Sequence, residues 1–124
     1  MYIILETEYQ GHAIEIAKNL DIDVYDAIVT VSGDGIIHEV INGFSERPDA
    51  RTALKKVPLG VIPGGTGNAL SICMLGEKLG FDPVHTARQV IKGWHKYNII
   101  IISIKRGSND INAYNNHYRK KYLF

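Results

Sequence analysis

Two short segments of this 124-residue chain concentrate the residue types that bind phosphate. They are Ser32-Gly33-Asp34-Gly35 and Pro63-Gly64-Gly65-Thr66-Gly67-Asn68. Glycine lacks a Cβ, so backbone N–H groups in such turns can converge on an anion. A helix that follows adds its unpaired N-terminal amides and the positive end of its dipole. Thr66 offers a hydroxyl, and Asn68 can cap the next helix or hold the loop. The commonest nucleotide fingerprints do not fit. A P-loop ends in Gly-Lys-Ser/Thr, and no lysine follows Gly67. The dinucleotide pattern G-x-G-x-x-G starts at Gly33 and at Gly65 but meets His38 and Leu70 at its last place.

Asp34 is the sharpest single residue. Between two glycines, it reads either as a turn former or as a carboxylate facing phosphates. In the second case it acts as a general base for an attacking hydroxyl or through a cation. A buried structural role is not expected there. Glu39 lies five residues on, at the wrong angle to share a helical face with Asp34, and reads as a solvated or structural helix residue. His12, His38, His85, His95 and His117 show neither paired helical spacing nor cysteine partners, so no metal site is expected. His38 reads as structural or solvated, and Trp94 and Tyr97 as core or surface anchors. The one cysteine, Cys73, reads as a small buried apolar residue.

The elements that must position these turns follow from hydrophobic periodicity. Tyr2 to Leu5 reads as a strand, and His12 to Leu20 shows helical spacing. Ala27 to Val31 is apolar and mostly β-branched, as suits a strand buried on both faces. Ile36 to Phe44 reads as a helix, Arg51 to Lys56 as a short one, and Pro58 to Ile62 as the next strand. Helices are expected from Ala69 to Leu75 and from Pro83 to Lys92, and a last strand from Tyr97 to Ile104. This alternation predicts an α/β fold, a parallel sheet with helices on both faces. In such sheets ligands bind at the carboxyl ends of strands, and both glycine turns fall there.

Composition limits the rest. The hydrophobic fraction is 45% and the charged fraction 22%, as in globular domains. Fourteen basic and thirteen acidic residues give a net charge of +1, so no global field favours nucleic acid. No secretory leader is legible, and the longest apolar run, Ile99 to Ile102, is far short of a membrane span; a cytoplasmic protein is expected. A strand that begins at Met1 suggests missing upstream sequence. Residues 106–124 carry four asparagines, three tyrosines and the basic cluster Arg119, Lys120 and Lys121; they read as a disordered tail.

The run Val31-Ser32-Gly33-Asp34-Gly35-Ile36-Ile37-His38-Glu39-Val40-Ile41-Asn42-Gly43 resembles the signature of the diacylglycerol kinase catalytic domain superfamily. Ser32, His38-Glu39-Val40 and Glu46-Arg47-Pro48-Asp49 look more like the sphingosine (long-chain-base) kinase branch. Pro63 to Ala69 matches the second family motif, and Thr7-Glu8 followed by His12-Ala13 resembles the end of the second strand of sphingosine kinases. The resemblance spans residues 1–105 and implies the parallel-sheet, three-layer nucleotide-binding domain of that family, in incomplete form.

The resemblance further implies transfer of the γ-phosphate of ATP, assisted by Mg²⁺, to the primary hydroxyl of a sphingoid base. Carried over by position, Asp34 is the proton acceptor. Thr7, Ser32, Gly33, Gly35, Gly64, Gly65, Thr66 and Gly67 contact the nucleotide, and Asn68 supports the loop. A lipid substrate implies transient, peripheral membrane contact. The family also has an earlier Asn-Pro and glycine-rich loop and a C-terminal β-sandwich domain, for which this chain has no counterpart; Tyr97 to Ile104 would be the strand leading into the latter. A non-catalytic fragment that at most binds nucleotide is therefore an alternative. So is a kinase of the same fold acting on diacylglycerol, another lipid or NAD.

Overall fold

The computed structural model describes residues 1–94 and 98–104, with Trp94 described by its backbone alone. The expectations for the Trp94 side chain, His95, Tyr97, His117 and the 106–124 tail lie outside these residues. Four strands form the sheet: β1 (Tyr2–Thr7), β2 (Ala27–Ser32), β3 (Leu59–Pro63) and β4 (Ile99–Ile104). Five helices connect them: α1 (His12–Lys18), α2 (Asp34–Ser45), α3 (Ala50–Lys56), α4 (Ala69–Leu75) and α5 (Pro83–Trp94). The fold is α/β with a parallel sheet flanked by helices, as expected from the alternation.

Strand order is β1-β4-β2-β3, and every neighbouring pair is parallel. All four carboxyl ends therefore reach the same edge. The register makes that edge specific. Thr7 pairs with Ile104, Ser32 pairs with Pro63, and Val31 pairs with Ser103. Thr7, Ile104, Ser32 and Pro63 thus form one row across the sheet. Two strand spacings separate Thr7 from Ser32, about 10 Å. The last strand lies inside the sheet, bonded to β1 on one side and β2 on the other. Its β-branched residues suit that interior position.

Side-chain alternation along the strands defines the core. Ile28, Ile100 and Ile102 face α1, α2 and α3, meeting Ala13, Ala17, Ile36, Val40, Phe44 and Ala53 in one buried cluster. α4 and α5 pack against β3. On the opposite face of the sheet Tyr2 and Ile4 are exposed, at 70% and 58%. Cys73, expected inside, is exposed on α4. That helix is short, and Ser71 is its one buried residue.

α2 governs α1. Gly43 sits so close to α1 that a Cβ there would lie 2.3 Å from the Ile14 carbonyl oxygen and 2.8 Å from the Ala17 Cβ. Arg47, just past α2, closes the other end of α1. Its Nη1 donates to the carbonyls of Lys18 (2.9 Å) and Leu20 (2.7 Å), with a longer contact to Ala17 at 3.4 Å. Lys18 is the last residue of α1, where a helix leaves its carbonyls without intrahelical partners, and Leu20 lies two residues beyond. Asp49 holds the guanidinium in place through a two-point bond, at 2.7 Å from Nε and 3.0 Å from Nη2. The hydrogen bond from Arg47 keeps the Asp49 carboxyl below its ordinary range.

Truncating Arg47 should loosen α1. Hydrogen bonds from a charged donor to half-buried and exposed carbonyls set the scale, so Arg47→Ala should cost about 1–2 kcal/mol in denaturant unfolding, and Arg47→Lys should recover little of it. Because the folded Asp49 pKa is lowered, the stability this pair supplies is complete above the unfolded value and fades as pH falls through the folded one. Acid titration of unfolding should therefore show a shallower loss in Arg47→Ala than in the unsubstituted chain.

Candidate active site

The two glycine turns meet at the carboxyl edge of the sheet, as their positions after β2 and β3 require. They are interlocked. A Cβ on Gly33 would lie 2.6 Å from the Gly67 carbonyl oxygen, and a Cβ on Gly65 would lie 2.5 Å from the Gly33 Cα. Neither distance is compatible with a side chain. Gly33 and Gly65 are thus required for backbone to pass backbone. The close approach expected between glycine and a ligand is, at these two positions, an approach between the turns themselves.

Hydrogen bonds lock the same contact. The Gly64 amide donates to the Ser32 carbonyl at 3.1 Å, and the Asp34 amide donates to the Gly67 carbonyl at 3.0 Å. The Asp34 carboxylate then accepts from two amides at the start of α4, Ala69 (2.9 Å) and Leu70 (3.2 Å). Asp34 therefore has a structural role that its sequence context did not suggest. It is the first residue of α2, with Gly33 as the N-cap, and it caps α4 from another helix. A carboxylate at both helix starts is favoured by both dipoles. The α4 amides expected to serve a phosphate are in part taken by Asp34.

Asn68 stands at the N-cap of α4 but makes no side-chain cap bond. Its amide spans the loop instead. Nδ2 donates to the Gly65 carbonyl at 2.8 Å, and Oδ1 accepts from the Gly65 amide at 3.3 Å. Of the two roles open to Asn68, the structure shows loop holding. Gly64, Gly65, Thr66 and Gly67 remain exposed at the edge, while Asn68 is buried beneath them. Gly35 and Asp34 are half-buried.

Ser32 and Thr7 lie in the edge row on either side of β4. Both are nearly closed to solvent, at 2% and 5%. The Ser32 hydroxyl donates to the Gly33 carbonyl at 2.9 Å. The structure therefore brings Ser32, Gly33, Asp34, Gly35 and the 64–68 loop into one cluster, with Thr7 about 10 Å along the edge. The turn after Thr7 is held locally. The Glu8 amide donates to His12 Nδ1 at 3.1 Å, Tyr9 stacks on His12 at 4.7 Å, and the Tyr9 hydroxyl donates to Glu15 at 2.8 Å. That last bond raises the Tyr9 pKa.

Two surface grooves lie beside this cluster and not in it. A groove of about 520 Å³ runs beside β1, lined by Ile4, Leu5, Glu6, Glu8, His12 and Ile16. A smaller cleft of about 190 Å³ separates β3 from α4 and α5. Neither includes Asp34, so the candidate site rests on backbone geometry and on the one carboxylate at its centre. Among the described residues no group of three or more His, Cys, Asp or Glu side chains is arranged to hold a metal ion.

Chemically, the arrangement offers exposed backbone amides beside a fixed carboxylate. A carboxylate has about four lone-pair positions, so Asp34 can accept two amide bonds and still take a proton from a hydroxyl. Two long-range contacts were not legible in the sequence. Arg47 and Glu39 act on α1 across 27 to 30 residues of chain. The Arg47–Asp49 pairing is local and legible; the carbonyls it serves are not.

Comparisons with known proteins show the family. Residues 1–101 match the family model described as the diacylglycerol kinase catalytic domain. The chain is 43% identical over 107 residues to a sphingosine kinase 2 of Arabidopsis thaliana, covering 85% of this chain and 22% of the relative. It is 47% identical over 90 residues to sphingoid long chain base kinase 4 of Schizosaccharomyces pombe, covering 73% and 19%. It is 36% identical over 113 residues to human sphingosine kinase 2, covering 85% and 17%. The chain thus spans about a fifth of the length of these relatives.

The interlock is open to a direct check. Gly65→Ala should unsettle both turns at once, costing about 1–3 kcal/mol by overpacking, with amide exchange rising at Asp34 as well as near residue 65. Asp34→Ala removes a helix cap and should cost about 1 kcal/mol, with faster exchange at Ala69 and Leu70.

Proposed function

The chain belongs to the diacylglycerol kinase catalytic domain family, and from that premise we propose that it forms the nucleotide-binding and catalytic part of a sphingoid-base kinase. The observation that carries this reading is the interlocked pair of turns, which sets the Asp34 carboxylate beside the exposed Gly64–Gly67 backbone. The phosphates of ATP lie along Gly64 to Gly67, with Thr66 adding its hydroxyl. Gly33, Gly35, Ser32 and Thr7 line the same edge, and Asn68 fixes the loop from below.

In the reaction, Asp34 accepts the proton of the primary hydroxyl of the lipid as its oxygen attacks the γ-phosphorus. A new P–O bond forms, the bond from the γ-phosphorus to the β-phosphate bridging oxygen breaks, and ADP leaves. The chain's contribution is positioning and a fixed base, which is most of what phosphoryl transfer asks of a protein. With Asp34 held by the Ala69 and Leu70 amides and serving as the base, the nucleotide phosphates and water would hold Mg²⁺. When bound, Mg²⁺ supplies charge neutralisation at the phosphates.

The names of the relatives described above support a sphingoid base over diacylglycerol or NAD as acceptor. No helix among the described residues is long and apolar enough to cross a membrane. We place the protein in the cytoplasm, meeting its lipid substrate by transient contact at a membrane surface. The share of the relatives that this chain spans leaves a nucleotide-binding fragment without turnover as the competing reading.

Labelled ATP, Mg²⁺ and sphingosine, with diacylglycerol and NAD in parallel, separate these readings. Labelled sphingosine phosphate should form, and Asp34→Asn should lower turnover by about 10²–10⁴-fold while changing ATP affinity less than about threefold. ATP binding without product from any acceptor would leave the fragment reading standing and refute the kinase reading for this chain.

A further inference from the structure

Glu39 is a buried acidic residue, 6% exposed, that the proposed chemistry does not use. It lies on α2 one turn before Gly43, so both face α1. Its Oε1 accepts a hydrogen bond from the Gly11 amide at 3.0 Å. Gly11 is the N-cap of α1 and adopts φ +90°, a conformation that favours glycine. Having no side chain, it cannot cap the helix itself. In a capping box, an acidic residue at the third helical position would reach back to the N-cap amide. In α1 that position is Ile14, which cannot. Glu39 makes the equivalent bond from a different helix.

The bond ties two parts of the site. Gly11 ends the turn that leaves β1 at Thr7, in the edge row with Ser32. Glu39 sits on the helix whose first residue is Asp34. We propose that Glu39 is a positioning residue for nucleotide binding: through the Gly11 amide it sets the Thr7–Gly11 turn against the Asp34 end of α2. Gly43 and Arg47 fix the middle and the far end of α1, and Glu39 is the residue of α2 that reaches the end nearest the site. This inference rests on the nucleotide reading above.

ATP affinity of the full chain tests it through four variants. Glu39→Ala should weaken ATP about tenfold, and Glu39→Gln, which keeps an oxygen for the Gly11 amide, should regain most of that loss. Thr7→Ala should weaken ATP in the unsubstituted chain but by less than about twofold in Glu39→Ala, because a displaced turn no longer presents Thr7. Amide exchange at Gly11 should quicken in Glu39→Ala while exchange at Ala69 and Leu70 stays as it was. Unchanged ATP affinity in Glu39→Ala, independent effects of the two substitutions, or unchanged exchange at Gly11 would each overturn the inference alone. If the unsubstituted chain binds no ATP, the nucleotide reading falls and this inference with it.

Discussion

The candidate site depends on one constraint: two turns that follow neighbouring strands occupy nearly the same space. Gly33 and Gly65 are separated by less than a side chain needs. Register brings them there, since Ser32 and Pro63 are paired and each turn starts one residue later. Close approach leaves polar backbone to be satisfied, and Asp34 satisfies much of it. Its amide meets the Gly67 carbonyl and its carboxylate meets the first amides of α4. The catalytic candidate is therefore also the bolt between the turns. Preorganisation here is a consequence of packing, because the carboxylate cannot move without releasing a helix.

α2 extends this order into the rest of the domain. Asp34, Glu39, Gly43 and then Arg47 occur along one stretch of chain, and each closes a contact with another element. Asp34 caps α4, Glu39 bonds the N-cap of α1, Gly43 admits the body of α1, and Arg47 caps its C-terminus. A seven-residue helix such as α1 is marginal by itself. Here both of its ends and its closest contact are supplied from outside. The position of Thr7 on the edge is thus tied to the position of Asp34 through α2 as well as through the sheet.

Much of the fold was legible because its signals are local. The β-branched run at Ala27 to Val31, the glycine turns and the periodic helices need no tertiary information, and each appears within a few residues of its expected place. The start of α2 moved back to Asp34 because helical periodicity marks apolar residues, and Asp34 and Gly35 carry none. The interior position of β4 was not legible, since strand order depends on pairings across the whole chain. Cys73 was misplaced because burial of a cysteine is a general tendency, whereas α4 packs by another face. At the site, residue types pointed to both turns and to Asp34. They could not show that Gly33 and Gly65 face each other, or that Asp34 caps α4, because both facts arise only when β2 and β3 pair.

What remains open to a phosphate is the outer backbone of residues 64–67, beside a carboxylate already oriented by α4. Nucleotide phosphates are proposed to occupy this strip. The most direct measurement is the amide spectrum of the ¹⁵N-labelled chain during titration with ATP and Mg²⁺. Saturable shifts should appear at Gly64, Gly65, Thr66 and Gly67, with smaller ones at Gly33 and Gly35. Shifts confined to the groove beside β1 or to the cleft under α5, or no saturable shift at all, would contradict this placement.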